Sequence, residues 1–291
     1  MSASSCSAVI VRWRGGAEVG RCVRSLLAHG GPLLDRIVLV DSGSGDRGAE
    51  RLAAELPQIE VVALPVNRSF AWAASQGVDR TTGAAILLLN PDTVVLPGAV
   101  DVLVSELARR PDAAGTVPIL TGSDDEPQTS WQLRRLPSPL RLAVGLAGAP
   151  QFPAGPPGLP VAAEQPAAAA WLVRRSVWNS LGGLDPAFAP AWWEDVDFCA
   201  RLRRSTTVTG GFWVAPQARI IHAGGSSLAS LGDAAFLAAY YRNLLRYAER
   251  HHPERIGMIR TGLRLSLGLR AAARPARRAA YRAALGSLAP R

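Results

Sequence analysis

Five short apolar runs in the first 120 residues, with stretches of helical period between them, constrain this chain more than any other feature. The runs are SAVIVRW, RIVLVD, IEVVAL, AAILLLN and AGTVPIL, and the helical patterns fall at 17–29, 46–56, 70–82 and 97–110. In the last pattern Pro97 suits a first turn, and Val100, Leu103, Val104 and Leu107 recur at helical spacing. Strands alternating with helices of this length predict βαβ units and a mostly parallel sheet. Strands that are apolar at nearly every position fit a sheet covered by helices on both faces. The expected fold class is therefore α/β.

Residues 121–166 break this rhythm. They are rich in Pro, Gly and Ser and predict a long, partly mobile excursion. Order returns with AAAAWLV, a helix from about 174 and the turn LGGLD. A helix in WWEDVDFCARL follows, then a strand near GFWVAP and the stretch ARIIHAGGSS. From about 233 the chain reads as helical and basic, with Phe236, Ala239, Tyr240, Leu244 and Tyr247 on one face. The expected division is 1–120 and 121–232 as two halves of one domain, with 233–291 as a helical extension.

Composition narrows the function classes. A chain of 291 residues that is 48% hydrophobic can bury a full core. The net charge of +9 is carried entirely by arginine, since there is no lysine, and suits an anionic partner. No zinc-finger spacing or RNP-like motif is present, so a dedicated nucleic-acid binder is not expected. Cys6, Cys22 and Cys199 are few, scattered and odd in number, which argues for a reducing compartment. The start MSASSCSAVIVRW has no basic leader before its apolar run, and prolines at 150, 153, 156, 157 and 160 forbid a membrane helix in the uncharged 142–163. The expectation is a cytoplasmic protein.

Ligands of parallel α/β sheets bind beyond the carboxyl ends of the strands. The residues there are Arg12, Trp13 and Arg14, then Asp41, then Asn67 and Arg68, then Asn90, Pro91 and Asp92. Arginine forks match phosphate oxygens, and a carboxylate accepts from a ring N–H or a ribose hydroxyl. A nucleoside diphosphate with Mg²⁺ or Mn²⁺ needs such a set, because the ion takes only one or two protein carboxylates. Each residue also has a plain structural reading: DSGSGD suits a turn and helix cap, and NPD is a common turn. His222, between a β-branched pair and two glycines, suits either a ligand-facing loop or an ordinary strand end. Walker A, G-x-S-x-G and dinucleotide glycine fingerprints are absent.

In WWEDVDFCARL three acids, Glu194, Asp195 and Asp197, crowd the start of a helix that should bury Val196, Cys199 and Leu202. Acids in a first turn are favourable by roughly 0.3–1 kcal/mol each, so capping accounts for one or two of them. Asp197 with Arg201 reads as an ordinary exposed i, i+4 pair. Asp195 can point into a cleft. Trp171, Trp192 and Trp193 are open to either core packing or sugar stacking.

Taken in order, AVIVRW, IVLVDSGSGD, NRSFAWAASQG, ILLLNPDTVVLPGAV, WLVRRSVWNSLGGLDPAF, WWEDVDFCARLRR and VAPQARIIHAGGSS resemble family 2 glycosyltransferases of the GT-A fold, closest to a bacterial rhamnosyltransferase-like branch. The resemblance spans residues 8–227. It implies a nucleotide-sugar-binding half over 1–120 and an acceptor-binding and catalytic half over 121–232. It implies that Asp41 holds the nucleobase beside Arg12, Trp13 and Asn67, and that Asp92 binds a divalent cation in a DxD-like motif whose first position is Asn90. By the same resemblance His222 is a further metal ligand, Asp195 the catalytic base, and Glu194 and Trp193 the acceptor border. The implied reaction is inverting transfer from a nucleotide-sugar donor, dTDP-rhamnose first, to a glycan, lipid-linked or small-molecule acceptor. The alternative is a catalytically silent nucleotide-sugar-binding or assembly protein of the same fold. Relatives usually carry Asn-Tyr-Asn-like residues where this chain has Arg12-Trp13-Arg14, Gly at Ser69, and an Asn pair near Ala74-Ser75. For the basic C-terminal helices the expected roles are covering the core over 233–250 and peripheral contact with an acidic membrane leaflet over 255–291, with pairing of subunits as a homodimer as the alternative for these helices.

Overall fold

In a computed structural model, which describes residues 5–151, 158–224 and 232–288, the first strand β1 (Cys6–Arg12) is buried at every position. It is followed by α1 (Ala17–His29), β2 (Leu34–Ser42), α2 (Gly48–Glu55), β3 (Glu60–Leu64), α3 (Phe70–Val78) and β4 (Ala85–Leu89). Then come β5 (Thr93–Val95), α4 (Ala99–Arg109) and β6 (Gly115–Thr121). The four helices fall within the predicted ranges. Pro97 lies just ahead of α4, whose N-cap is the left-handed Gly98.

The excursion is built from short pieces: α5 (Thr129–Gln132), β7 (Leu133–Arg134), α6 (Pro139–Ala143), β8 (Val161–Ala163) and β9 (Gln165–Pro166). The described part of 121–166 is thus tied to the body rather than structureless. The buried Gln132 amide donates to the Pro118 carbonyl at 2.6 Å and accepts from the Leu120 N–H at 3.0 Å. Three of the prolines weighed above, at 153, 156 and 157, and the glycine-serine stretch from 225 lie outside the described residues.

β10 (Ala170–Arg174), α7 (Arg175–Leu181), α8 (Glu194–Arg204) and β11 (Phe212–His222) complete the α/β body. The nine-stranded sheet has the order β3-β2-β1-β4-β10-β6-β11-β5, with β8 paired to β11. β1 runs parallel to β2 and β4, whereas β10 is antiparallel to both of its neighbours, β4 and β6. Its insertion explains Gly115, where a side chain would start 2.4 Å from the Leu172 carbonyl oxygen. Side chains alternate across the sheet. Ala8 and Ile10 of β1 join Leu87 and Leu89 of β4 in a core with α1 and α4. Val9 and Val11 join Ile86 and Leu88 in a second core with α3, α7 and α8.

The C-terminal helices α9 (Asp233–His251), α10 (Ile256–Ala273) and α11 (Arg278–Gly286) build a third core, in which Leu244, Tyr247, Ile259 and Leu263 meet Trp193, Val196 and Ala200. This gives α9 the core-covering place expected for 233–250, and α10 and α11 share it. Among the described residues no helix is long and apolar enough to cross a membrane.

Candidate active site

Parallel pairing sets Arg12 of β1 directly beside Asp41 of β2. The Arg12 guanidinium is 2% exposed; it donates to Asp41 Oδ2 at 2.5 Å and to both Asp46 oxygens at 2.8–3.0 Å. Burial works against its charge, but Asp46 and Asp41 more than offset this and raise its pKa. The other Asp41 oxygen accepts from the Ser44 N–H at 2.8 Å. Arg12 is therefore a buried clamp on two carboxylates. Trp13 is half-buried with the Arg14 guanidinium 4.9 Å from its ring. Asn67 accepts from the Ser42 hydroxyl at 3.1 Å, and the exposed Arg68 lies 4.6 Å from the Trp72 ring. These five predicted residues sit at the ends of β1–β3 and do not line the cavity that holds the other candidates.

That cavity, about 440 Å³, is lined by Asn90, Asp92, Trp193, Glu194, Asp195 and His222, residues far apart in sequence. Topology brings them together. β4 ends at Leu89, and the carbonyl of the next residue, Asn90, accepts from the Thr93 N–H and hydroxyl and closes the turn carrying Asp92. β5 then pairs antiparallel with β11, placing His222 opposite Thr93. His222 Nε2 consequently lies 3.5 Å from Asp92 Oδ1. Its other ring nitrogen is 3.2 Å from the Gln128 side-chain oxygen, whose amide nitrogen donates to the His222 carbonyl at 3.0 Å. An oxygen there can only accept, so Nδ1 carries the proton and Nε2 turns its lone pair toward Asp92. Burial lowers the His222 pKa, with Asp92 opposing, which favours the neutral, metal-ligating form.

α8, which brings Glu194 and Asp195 to the same cavity, starts in an unusual way. Trp192 and Trp193 both adopt left-handed backbone, at φ 70° and 78°. Such residues hold roughly 1–3 kcal/mol of strain each, and they aim the first turn of α8 at the cavity. Asp195 Oδ1 accepts from the Val196 N–H at 2.8 Å. Its Oδ2 faces the Gln165 amide at 3.3 Å, the Ala168 N–H at 3.4 Å and Arg134 at 3.9 Å. Arg134 and Gln165 are register partners in the two-stranded β7–β9 sheet, which therefore orients the carboxylate. Glu194 is buried, with Oε2 unpartnered. Burial first, and the Asp195 charge second, push its carboxyl well above the ordinary glutamate range.

One reading from the sequence changes, that of Asp197, and the open ones for Trp171 and Trp193 are decided by their packing. Asp197 is not in an exposed pair: it is 0% exposed and accepts from Arg201 at 2.7 Å, Arg250 at 2.9 Å and His251 at 2.8 Å. Trp171 is fully buried between Phe198 and Phe212, so it packs the core. Trp193 touches the cavity but is 2% exposed, its ring set between Tyr240 and Tyr247 at 5.4–5.5 Å. Gln128, Trp131, Arg134 and Gln165 were missed, because 121–166 carries no periodicity that would single them out.

Asp92 and His222, 3.5 Å apart, are the pair in this cavity whose donor atoms suit a divalent cation. Among the described residues no group of three or more His, Cys, Asp or Glu could hold one. An ion shared with a diphosphate needs only such a pair, the phosphates and water completing its shell.

Comparison with known proteins bears on the family and on the fold. The family model for glycosyl transferase family 2 matches residues 7–154, half of the chain. The chain is 25% identical over 288 residues to an N-acetylglucosaminyl-diphospho-decaprenol L-rhamnosyltransferase of Mycobacterium tuberculosis, covering 90% of each. It is 36% identical over 113 residues, 37% of this chain and 31% of the other, to an undecaprenyl-phosphate 4-deoxy-4-formamido-L-arabinose transferase of Pseudomonas paraeruginosa. Among solved structures, GalNAc-T7 with UDP, GalNAc and Mn²⁺ superposes with a TM-score of 0.67 at 18% identity, over 87% of this chain and 50% of that one. S. aureus TarS 1–349 gives 0.55 at 11% identity, over 98% and 80%. At these identities the structures speak for the fold alone, which is GT-A. On the strength of its family match and of this fold, the protein belongs to glycosyl transferase family 2.

Proposed function

We propose that the protein moves a sugar from a nucleotide-sugar donor to a hydroxyl of a lipid-linked acceptor by one inverting displacement, with Asp195 as the base. The observation that carries this reading is that Asp92 and Asp195 face one cavity of sugar size. Asp195 Oδ2 takes the acceptor proton as the hydroxyl oxygen attacks the anomeric carbon, and the bond to the diphosphate breaks on the opposite side. Gln165 and the Ala168 N–H hold that oxygen toward the cavity. Asp92 and His222 would hold a Mg²⁺ or Mn²⁺ ion, which when bound neutralises charge on the departing diphosphate. The nucleotide would run along the ends of β1–β3, Asp41 reading the base while Arg12 fixes that carboxylate, with Trp13, Asn67 and Arg68 bordering it and Asn90 beside the diphosphate. Trp193 and Glu194 border the acceptor. dTDP-rhamnose is the first donor to try, on the likeness to the mycobacterial enzyme. A thermal-shift panel of nucleotide sugars with and without Mn²⁺ tests this, since a bound donor raises Tm with its concentration over Kd. Release of nucleoside diphosphate separates an enzyme from a silent binding protein.

Asp92→Ala should weaken Mn²⁺-dependent donor binding by at least the ~10–100-fold that loss of a supporting metal contact brings. Calorimetry with and without Mn²⁺ reads it. Donor affinity that responds to Mn²⁺ as in wild type would free Asp92 from the role.

Glu194 contributes a buried carboxyl inside the cavity, and its surroundings favour the protonated form, which can donate to a sugar hydroxyl. Its pKa is raised from 4.5 on folding, so its stabilising contribution is complete below that value and is lost as pH rises through the native one. Glu194→Gln has nothing to titrate. Its Tm relative to wild type should therefore climb as pH rises above 4.5; a constant difference would show that the Glu194 carboxyl is not raised on folding.

A further inference from the structure

The exposed apolar side chains are not scattered. Ten large ones are exposed among the described residues, and six of them are Leu140, Val144, Leu146, Met258, Leu265 and Leu269. The last three lie at i, i+7 and i+11 of α10, one stripe of the helix. α10 already buries Ile259, Leu263, Leu267 and Ala271 on its inner side, so this outer stripe is surplus to the fold. Leu265 and Leu269 are 65% and 71% exposed, and Leu140 is 69% exposed. The two groups adjoin: the Val144 carbonyl accepts from Ser266 at 3.0 Å and Arg270 at 2.9 Å, one residue from Leu265 and Leu269. Single exposed leucines need no explanation, but a contiguous set of this kind marks an interaction surface.

Charge says what covers it. Residues 255–291 hold nine of the 32 basic residues and none of the 23 acidic ones, so the first 254 residues are balanced at 23 of each. The whole net charge of +9 is concentrated in the segment that carries three of the six side chains of this patch. Arg255, Arg264, Arg274, Arg278 and Arg282 are exposed there. Apolar side chains interleaved with arginine and free of acids suit the boundary of an anionic bilayer, where acyl chains take the former and headgroups the latter.

The patch also leads to the cavity. The Val144–Ala147 turn is closed by Leu146 N–H to the Arg141 carbonyl at 2.8 Å and by Arg141 Nε to the Ala147 carbonyl at 2.7 Å. Ala147 lines the cavity beside Arg134 and Tyr240. A surface that meets lipid at Leu140–Leu146 therefore presents the acceptor side of the site to molecules anchored in that lipid.

We infer that α10 and the α6 turn dock the protein on an anionic membrane surface, peripherally and reversibly, with the cavity opening toward anchored acceptors. The inference rests on the lipid-linked acceptor reading for its purpose, but its test needs neither donor nor acceptor, so the two fail separately. Full-length protein is sedimented with vesicles of phosphatidylcholine alone or mixed with phosphatidylglycerol. Binding is expected to the mixed vesicles only, weakening as salt rises. The Leu265→Ser/Leu269→Ser protein should bind about tenfold or more weakly with unchanged Tm, since both side chains are solvent-exposed. Arg264→Gln/Arg274→Gln/Arg278→Gln should lose comparable affinity and much of the salt dependence. Absence of wild-type binding to the mixed vesicles overturns the inference, as does wild-type affinity in the leucine variant. A wild-type dimer in analytical ultracentrifugation that the leucine variant disperses, without vesicle binding, gives the face to a second copy instead.

Discussion

Asp195→Asn is expected to bind donor as the native protein does and to lose about 10²–10⁴-fold in turnover. The amide preserves the shape of the side chain and its acceptor oxygen toward the Val196 N–H, but has no lone pair basic enough to take a hydroxyl proton. The loss should appear in kcat, with donor KM little changed, because the group acts on the acceptor only as the bond forms. Single-turnover measurements at saturating donor read it directly. Turnover within a few-fold of wild type would remove Asp195 from the chemistry and leave it an N-terminal helix acid.

The second large effect concerns stability. Asp197 lies two residues from the proposed base yet faces away from the cavity, receiving Arg201, Arg250 and His251 from two helices. Arg204 donates to the His251 carbonyl at 2.6 Å and sits 2.8 Å from His251 Nδ1, extending the same knot. Removing one member of a buried ion cluster strands the rest, at a cost of about 3–5 kcal/mol. Asp197→Ala should therefore lower Tm by roughly 10 °C. Burial raises the Asp197 pKa, but His251 and Arg201 overcome it and the net shift is downward from 3.8. Its contribution is thus present above the unfolded value and vanishes as pH falls through the native one. Melting curves of the two proteins should converge in strong acid. A gap under about 1 kcal/mol at pH 7 would mean that the cations find water or other acceptors unaided.

Legibility followed periodicity. The β1–β4 strands and their helices are plain in the sequence because each is long, uniformly apolar or amphipathic, and local. The GT-A resemblance gave roles to Asp92, Asp195 and His222, which also read as ordinary turn, cap and strand-end residues; the structure sets all three on one cavity. What the sequence hid depends on long-range pairing. β10 is a five-residue apolar segment whose antiparallel insertion between β4 and β6 leaves no local mark. Arg134 and Gln165 meet Asp195 only because two two-residue strands pair across the excursion. Arg12 looked like a phosphate fork and turned inward, since Asp46 follows Asp41 by five positions and the DSGSGD turn folds it back. Asp197 looked solvent-facing because its partners Arg250 and His251 arrive from a helix that starts 36 residues later.

The third core has a mechanical consequence. Phe198, Cys199 and Leu202 fasten α8 to the sheet, while Val196, Ala200 and the neighbouring Trp193 fasten it to the C-terminal helices. The proton acceptor thus rides on a wedge gripped from both flanks, and neither flank can slide without dragging or loosening it. Any load carried by the tail is felt at the carboxylate within a single layer of side chains, so excising residues beyond 232 would unseat the chemistry along with the appendage.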